Sequence, residues 1–193
     1  MKYSTVLLFG APGSGKGTQG KILGTIPHFY HFSCGEVFRN VRPDSELGRI
    51  FLEYSSKGQL VPDEHTIRLW RKTIEDAERI GRFHPESDTM VLDGIPRNVH
   101  QAEILKDTLD VKALLYLSCP DLSKLVARIQ RRALSENRLD DANMDIIRQR
   151  LDTYDQTTKP VLEFYGKKLT HTIDSTQSPI KVLSDILRIL STV

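Results

Sequence analysis

The chain has 193 residues, with 27 lysines and arginines against 25 aspartates and glutamates, so its formal net charge is only +2. A charge this small argues against a protein held on nucleic acid by bulk electrostatics, and no run of about 18 apolar residues predicts a membrane span. Hydrophobic residues make up 39% of the sequence. Length and composition together predict one soluble globular domain with at most a small insertion.

The sequence carries no sign of export. Its first residues lack the basic region, apolar core and small-residue cleavage site of a signal peptide. The two cysteines, Cys34 and Cys119, stand far apart and form no metal-ligand pair. We therefore expect free thiols in a reducing cytoplasm.

The first predicted elements are a strand over 5–9, a glycine-rich turn and a helix. From Gly10 to Lys16 the turn follows the pattern G-x-x-x-x-G-K, in which glycines let successive backbone N–H groups converge on one anion. The helix adds its unpaired N–H groups and the positive end of its dipole, and Lys16 adds a cation for the β- and γ-phosphates. The pattern predicts a nucleotide-phosphate site. Gly17 occupies the usual Ser/Thr position of the general motif, and Thr18 follows it.

Strands and helices then alternate along the chain. Apolar, β-rich runs recur at 5–9, 29–32, 90–92, 113–117 and 169–173. Helical spacing separates them: Leu47, Ile50, Phe51 and Tyr54 follow i, i+3, i+4, i+7, with Ser45 as the predicted N-cap.

A second helical repeat begins at Ile67 and includes Trp70 and Ile74. It follows Asp63, which we expect to cap that helix. The whole alternation predicts a parallel sheet covered by helices on both faces. Segments 33–61 and 131–142 are predicted to be helix-and-loop insertions between strands and not separate domains.

An apolar strand, 90–92, ends at Asp93. In a parallel sheet the carboxyl ends of the strands face the ligand crevice, so Asp93 is expected beside the phosphate loop. There it would orient water around a Mg²⁺ ion that bridges the β- and γ-phosphates. A strand-end aspartate that only caps a turn is the alternative.

A set of arginines is the third signal. Its members are Arg39, Arg97, Arg128, Arg131, Arg132, Arg138, Arg148 and Arg150. Phosphoryl transfer needs positioned cations around the transferring group, and the planar guanidinium binds phosphate oxygens in pairs. For Arg148 and Arg131 we favour a solvated helix face. RNA binding is disfavoured, because aspartates interrupt the run and no platform of aromatic and basic residues accompanies it.

In chain order, these segments resemble the adenylate kinase family of nucleoside monophosphate kinases. The matching segments are the phosphate loop 10–19, the opening and closing stretches 32–39 and 58–64 of a monophosphate-binding insertion, the signature block 93–97 with Gln101, and the lid residues Arg128, Arg132, 138–141 and 150–154. In this family Gly-Thr usually follows the lysine, so Gly17 supports the resemblance.

The resemblance implies a fold, a reaction and moving parts. The fold is an α/β, three-layer P-loop fold with a central five-stranded parallel sheet, in a single kinase domain over 1–193. A monophosphate-binding helical insertion, 33–61, and a short lid, 131–142, move relative to it. The reaction is the reversible transfer of the γ-phosphoryl group from Mg·ATP to AMP, which gives two ADP.

The resemblance also implies site residues, carried over by position. The residues expected to bind ATP are Gly13, Ser14, Gly15, Lys16, Gly17, Thr18, Arg128, Arg132 and Gln177. The residues expected to bind AMP are Cys34, Arg39, Gln59, Leu60, Val61, Gly94, Ile95, Pro96, Arg97, Gln101, Arg138 and Arg150. The catalytic cations are Lys16, Arg97, Arg132, Arg138 and Arg150. The lid contains no cysteine or histidine, so no zinc is expected, and short-lid members are usually monomers.

Two positions bear on the acceptor base. Cys34 stands where adenylate kinases commonly have threonine and UMP/CMP kinases often have alanine, and a thiol is a weak hydrogen-bond partner. Gln101 favours AMP, because an amide donates and accepts together and so matches adenine N6 and a ring nitrogen. AMP is thus the expected acceptor, with a UMP/CMP kinase as the alternative.

The alternative outside the enzymes is an ATP-binding regulatory module, which would work as a switch or as a partner of nucleic acid. It would need neither a second set of phosphate-binding arginines nor a lid, so it is the weaker hypothesis.

Overall fold

The computed structural model of the protein describes residues 2–136, 141 and 143–193. The five strands are β1 Tyr3–Phe9, β2 Phe29–Ser33, β3 Thr89–Asp93, β4 Leu109–Ser118 and β5 Thr170–Asp174. The helices are α1 Lys16–Leu23, α2 Cys34–Arg39, α3 Glu46–Ser55, α4 Asp63–Arg79, α5 Val99–Leu105, α6 Leu122–Glu136, α7 Met144–Thr153, α8 Val161–Leu169 and α9 Pro179–Leu190, with a π-helical turn at Tyr154–Thr158.

The strands form one parallel sheet in the order β2-β3-β1-β4-β5. Register places Asp93 beside Leu8 of β1 on one side and Ser33 of β2 on the other. The carboxyl ends of the central strands therefore meet at one edge, where the loops after β1, β2 and β3 lie close together.

Both faces of the sheet are covered by helices. Successive side chains of a strand point to opposite faces, and the alternating residues of β1 divide accordingly. Leu7 and Phe9 pack on the face that also buries Trp70 of α4. Val6 and Leu8 pack on the other face, with Leu23 of α1, Val182 and Ile186. The predicted three-layer α/β fold with a five-stranded parallel sheet is confirmed.

The insertion between β2 and β3 contains α2 and α3. As predicted, Ser45 caps α3: its hydroxyl oxygen accepts the backbone N–H of Gly48 at 3.1 Å. The prediction for α4 was wrong, because Pro62 holds the N-cap position and Asp63 is the first helical residue, with no capping hydrogen bond from its side chain. The Asp63 carboxylate is used elsewhere, as described below.

No helix in the described part of the chain is long and apolar enough to cross a membrane.

Burial in α4 generates a stability prediction. Ile74 is 1% exposed under the sheet, whereas Ile80, just past the end of the same helix, is 61% exposed. Ile74→Ala should lower the free energy of unfolding by about 2–5 kcal/mol, because it removes buried methyl groups and leaves a cavity. Ile80→Ala should change it by no more than about 0.5 kcal/mol. Urea unfolding followed by circular dichroism measures both, and equal losses would contradict the burial assigned to Ile74.

Candidate active site

The loop between β1 and α1 has a shape that requires glycine. Gly13 and Gly15 have φ angles of 82° and 100°, a region that other residues rarely adopt. A Cβ atom on Gly13 would lie 2.8 Å from the carbonyl oxygen of Leu125, so α6 packs directly against the loop. The result is a tight turn that leads into the N-terminus of α1, the arrangement that binds phosphate.

Lys16 folds back over this loop. Its ammonium group donates to the carbonyl oxygens of Gly10 at 2.6 Å and Ala11 at 3.1 Å. Burial lowers the pKa of Lys16 to about 8; Asp93 opposes the shift, and Arg97, Arg132 and Arg150 add to it by repulsion. A cation held among other cations favours a bound anion.

Asp93 ends β3 beside the loop. It is 7% exposed, and the hydroxyl group of Ser33 donates to its Oδ2 atom at 3.5 Å. Gly17 faces the same oxygen, since a Cβ atom on Gly17 would lie 3.7 Å from it. The carboxylate thus lies next to the phosphate loop with no side chain of residue 17 in between.

The described residues include no group of three or more His, Cys, Asp or Glu side chains arranged as metal ligands. A lone carboxylate beside a phosphate loop instead suits Mg²⁺, which keeps several waters and is held largely by nucleotide phosphates. The residues present therefore fit an ion that arrives with its nucleotide.

One cavity of about 620 Å³ joins this loop to the insertion and the signature block. The sequence-predicted residues that line it are Gly13, Ser14, Gly15, Lys16, Gly17, Thr18, Cys34, Arg39, Gln59, Leu60, Val61, Asp93, Gly94, Pro96, Arg97, Gln101, Arg128, Arg132, Arg150 and Gln177. The same cavity is thus lined by the phosphate loop, by residues of the insertion and by five arginines, Arg39, Arg97, Arg128, Arg132 and Arg150.

Two of the predicted site residues are not among those that line the cavity. The side chain of Ile95 is 0% exposed and packs into the hydrophobic core. Arg138 lies outside the described residues. Of the two arginines expected on a solvated face, Arg148 is exposed and pairs with Asp145 at 3.5 Å, whereas Arg131 is exposed but borders the cavity.

The insertion side of the cavity is built around Arg97. Its Nε atom donates to the carbonyl oxygen of Gly94 at 2.8 Å, and its backbone N–H donates to Oε1 of Gln101 at 2.8 Å. Cys34, the first residue of α2, is buried nearby, and burial raises the pKa of its thiol to about 11. Cys34 is therefore a neutral group at physiological pH.

The side of the cavity next to α6 and α7 contains Asp141, a residue that belongs to the predicted lid motif but was not predicted as a site residue. Its carboxylate is 0% exposed. Arg132 donates to Oδ2 from Nε at 3.0 Å and from Nη2 at 2.5 Å, while Arg150 donates to Oδ1. One carboxylate thus brings two guanidinium groups from α6 and α7 to the same point.

Comparisons with known proteins agree with this geometry. A family model described as Adenylate kinase matches residues 8–170. The chain is 34% identical to an adenylate kinase of Chloroherpeton thalassium, across 96% of this chain and 97% of that protein. It is 35% identical to an adenylate kinase of Parabacteroides distasonis, across 83% of each chain. It is also 32% identical to a UMP-CMP kinase of Danio rerio, across 98% of each chain.

The pKa of Lys16 generates a pH prediction. Because that pKa is lowered to about 8, Lys16 loses its charge as the pH rises through 8, and a phosphate ligand binds the charged form better. The dissociation constant for ATP should therefore rise between pH 8 and 9, by at most about tenfold per pH unit for one proton. Isothermal titration calorimetry in two buffers of different ionisation enthalpy should also detect proton uptake on binding.

The matched controls are Lys16→Met and Lys181→Met. The first removes the titrating group and should bind ATP weakly at every pH, with a flat profile from pH 7 to 9. The second removes an exposed lysine that pairs with Asp185 in α9 and should keep the dependence. A flat profile in the unmodified protein would contradict the assignment.

Proposed function

Because the chain belongs to the adenylate kinase family of nucleoside monophosphate kinases, we propose that it transfers the γ-phosphoryl group of ATP reversibly to AMP, gives two ADP and so balances the adenine nucleotides. The observation that carries the proposal is a single cavity lined by the phosphate loop, by Arg97 with Gln101, and by Arg128, Arg132 and Arg150. A single-nucleotide site would need only the phosphate loop.

Positioned cations do most of the work in the proposed reaction. A phosphate oxygen of AMP forms a bond to the γ-phosphorus while the bond from that phosphorus to the β,γ-bridging oxygen breaks, and ADP leaves with the electron pair. Lys16, Arg132 and Arg150 would stabilise the charge on the transferring group. Arg39 and Arg97 would hold the AMP phosphate. No strong protein base is needed, because the attacking oxygen is already ionised.

Asp141 supports this assignment of Arg132 and Arg150. A single carboxylate pairs with both guanidinium groups, which fixes their positions and lowers the entropic cost of placing them around a phosphate. Arg128 is proposed to stack on the ATP adenine, whose edge the backbone near Gln177 would contact. Arg138, which is also predicted to bind phosphate, lies outside the described residues.

Mg²⁺ is proposed to bind with ATP. Asp93 would hold it through water at the phosphate loop, with the loop residues and the phosphates completing its surroundings. When bound, the ion would neutralise charge on the β- and γ-phosphates.

The moving parts remain a proposal as well. Residues 33–61, which include α2 and α3, and residues 131–142 would close on the nucleotides within one kinase domain of 193 residues. Closure would exclude water, which otherwise competes with AMP for the γ-phosphoryl group. That the protein acts as a monomer in the cytoplasm, without zinc, nucleic acid or a membrane, stays a prediction.

AMP is the proposed acceptor. Gln101 lines the cavity and has both a hydrogen-bond donor and an acceptor. This pair favours an acceptor base that presents an amine beside a ring nitrogen, as adenine does. A UMP/CMP kinase is the second candidate, since Cys34 presents a neutral thiol in place of a stronger hydrogen-bonding group and one relative is named UMP-CMP kinase. A regulatory module without activity is disfavoured, because the family is one of enzymes.

An acceptor panel tests the proposed function. Purified protein with Mg·ATP should produce ADP fastest with AMP, and at least about tenfold more slowly with CMP, UMP or GMP, since one mismatched hydrogen-bond pair costs a factor of that order. A coupled assay of ADP formation measures all four. Faster turnover on UMP or CMP would favour the second candidate, and no turnover on any acceptor would overturn the proposal.

Two substitutions test the proposed cations. Lys16→Met and Arg97→Ala should each lower kcat/KM by about 10²–10³ or more, as removal of a transition-state contact does, with the melting temperature nearly unchanged. Arg79→Ala is the control, because Arg79 is an exposed arginine of α4 paired with Asp76. The Lys16→Met preparation also measures contaminating host enzyme. Rates near those of the unmodified protein would refute the assigned roles.

A further inference from the structure

The carboxylate of Asp63 is the centre of a hydrogen-bond network behind the acceptor end of the cavity. Its Oδ1 atom accepts from Nδ2 of Asn98 at 2.9 Å and from Nε2 of Gln101 at 2.7 Å. Its Oδ2 atom lies 2.7 Å from Nδ1 of His100. Asp63 begins α4, whereas its partners lie at the start of α5, so the network joins two segments more than thirty residues apart in sequence.

Asp63 remains an ionised carboxylate, and therefore only an acceptor, at neutral pH. Burial acts to raise its pKa, but hydrogen bonds from His100, Asn98 and Gln101 outweigh burial and lower the pKa below its usual value.

This carboxylate leaves the amide of Gln101 one satisfactory orientation. Oε1 of Gln101 accepts the backbone N–H of Arg97 at 2.8 Å, a group that can only donate, while Nε2 donates to Asp63, which can only accept. A flipped amide would place its oxygen against the carboxylate and its NH₂ group against an N–H. Gln101 is also 1% exposed, so little water reaches these two hydrogen bonds.

The fixed amide still has one hydrogen-bonding capacity at each end. Oε1 has a second lone pair and Nε2 a second N–H, and the side chain lines the cavity. Together they form an acceptor and a donor in a set order. Adenine and cytosine present an exocyclic amine beside a ring nitrogen that accepts, whereas hypoxanthine, guanine and uracil present an exocyclic oxygen beside a ring N–H. An amide that cannot flip matches only one of these two orders.

We propose that Asp63 is a positioning residue that locks the Gln101 amide and thereby makes the acceptor site select bases with an amine beside a ring acceptor. The inference rests on the proposed function, in which Gln101 contacts the acceptor base. The locked amide would distinguish AMP from IMP, because the base of IMP has the same size as adenine but the reversed order of donor and acceptor. It also implies that CMP is a better acceptor than UMP.

The experiment compares AMP and IMP as acceptors in the unmodified protein and in Asp63→Leu. Leucine has a similar volume but cannot accept a hydrogen bond, so a flipped amide no longer places its oxygen against a carboxylate, and only the Arg97 N–H still opposes the flip. The ratio of kcat/KM for AMP to that for IMP should fall by about tenfold or more, the worth of a hydrogen bond to a charged group. The KM for ATP should stay the same, which a general loss of structure would not produce.

Two further variants serve as controls. Glu64→Leu removes a carboxylate from the same first turn of α4, where Glu64 is 80% exposed and outside the network, and it should leave the AMP/IMP ratio unchanged. Asp63→Asn keeps an amide oxygen that can accept from Gln101, and it should retain most of the ratio. If Asp63→Leu does not fold, as judged by circular dichroism, Asp63→Ser carries the same test, since its hydroxyl group is too short to reach the amide.

The outcomes separate this inference from the proposed function. If the unmodified protein does not use AMP, the proposed function fails. If it uses AMP and prefers it to IMP, but Asp63→Leu keeps the same ratio or Glu64→Leu lowers it equally, the positioning role alone is overturned. If the ratio falls in Asp63→Leu and holds in both controls, the role is supported.

Discussion

Crowded positive charge is the constraint on which the rest of this structure depends. Lys16, Arg97 and Arg132 approach one cavity from different elements, and their repulsion, with burial, lowers the pKa of Lys16 to about 8. Two carboxylates, Asp93 and Asp141, are almost fully buried and offset only part of this positive charge. The site is therefore complementary to an anion that carries several charges, as a polyphosphate does.

The parallel sheet makes this convergence possible. Because its strands all point the same way, the loops that follow β1, β2 and β3 reach the same edge. The phosphate loop follows β1, Cys34 follows β2, and Asp93 ends β3. Helix α6 then packs against the phosphate loop through the close approach of Gly13 to Leu125. The phosphate loop, Arg97 and the arginines of α6 and α7 thus line one cavity without any long unsupported loop in the described part of the chain.

Local patterns predicted much of this correctly, and the misses share one cause. The strand–helix alternation and the cap at Ser45 are visible in short windows of sequence, because each depends on residues a few positions apart. The parallel sheet was predicted from that alternation. Asp63 was predicted as a helix cap for the same local reason. In the structure it bonds instead to Asn98, His100 and Gln101, and no spacing rule connects residue 63 to residue 101.

The sequence by itself determined the chemistry: the glycine loop with Lys16, the strand-end aspartate and the arginines are residue types that already indicate phosphate transfer. Tertiary structure decided what each charge and amide faces. It buried Asp141 between Arg132 and Arg150, left Ile95 in the core and oriented the Gln101 amide. These outcomes depend on burial and on hydrogen bonds across the fold, and the strength of both is set by which segments pack together and not by their order along the chain.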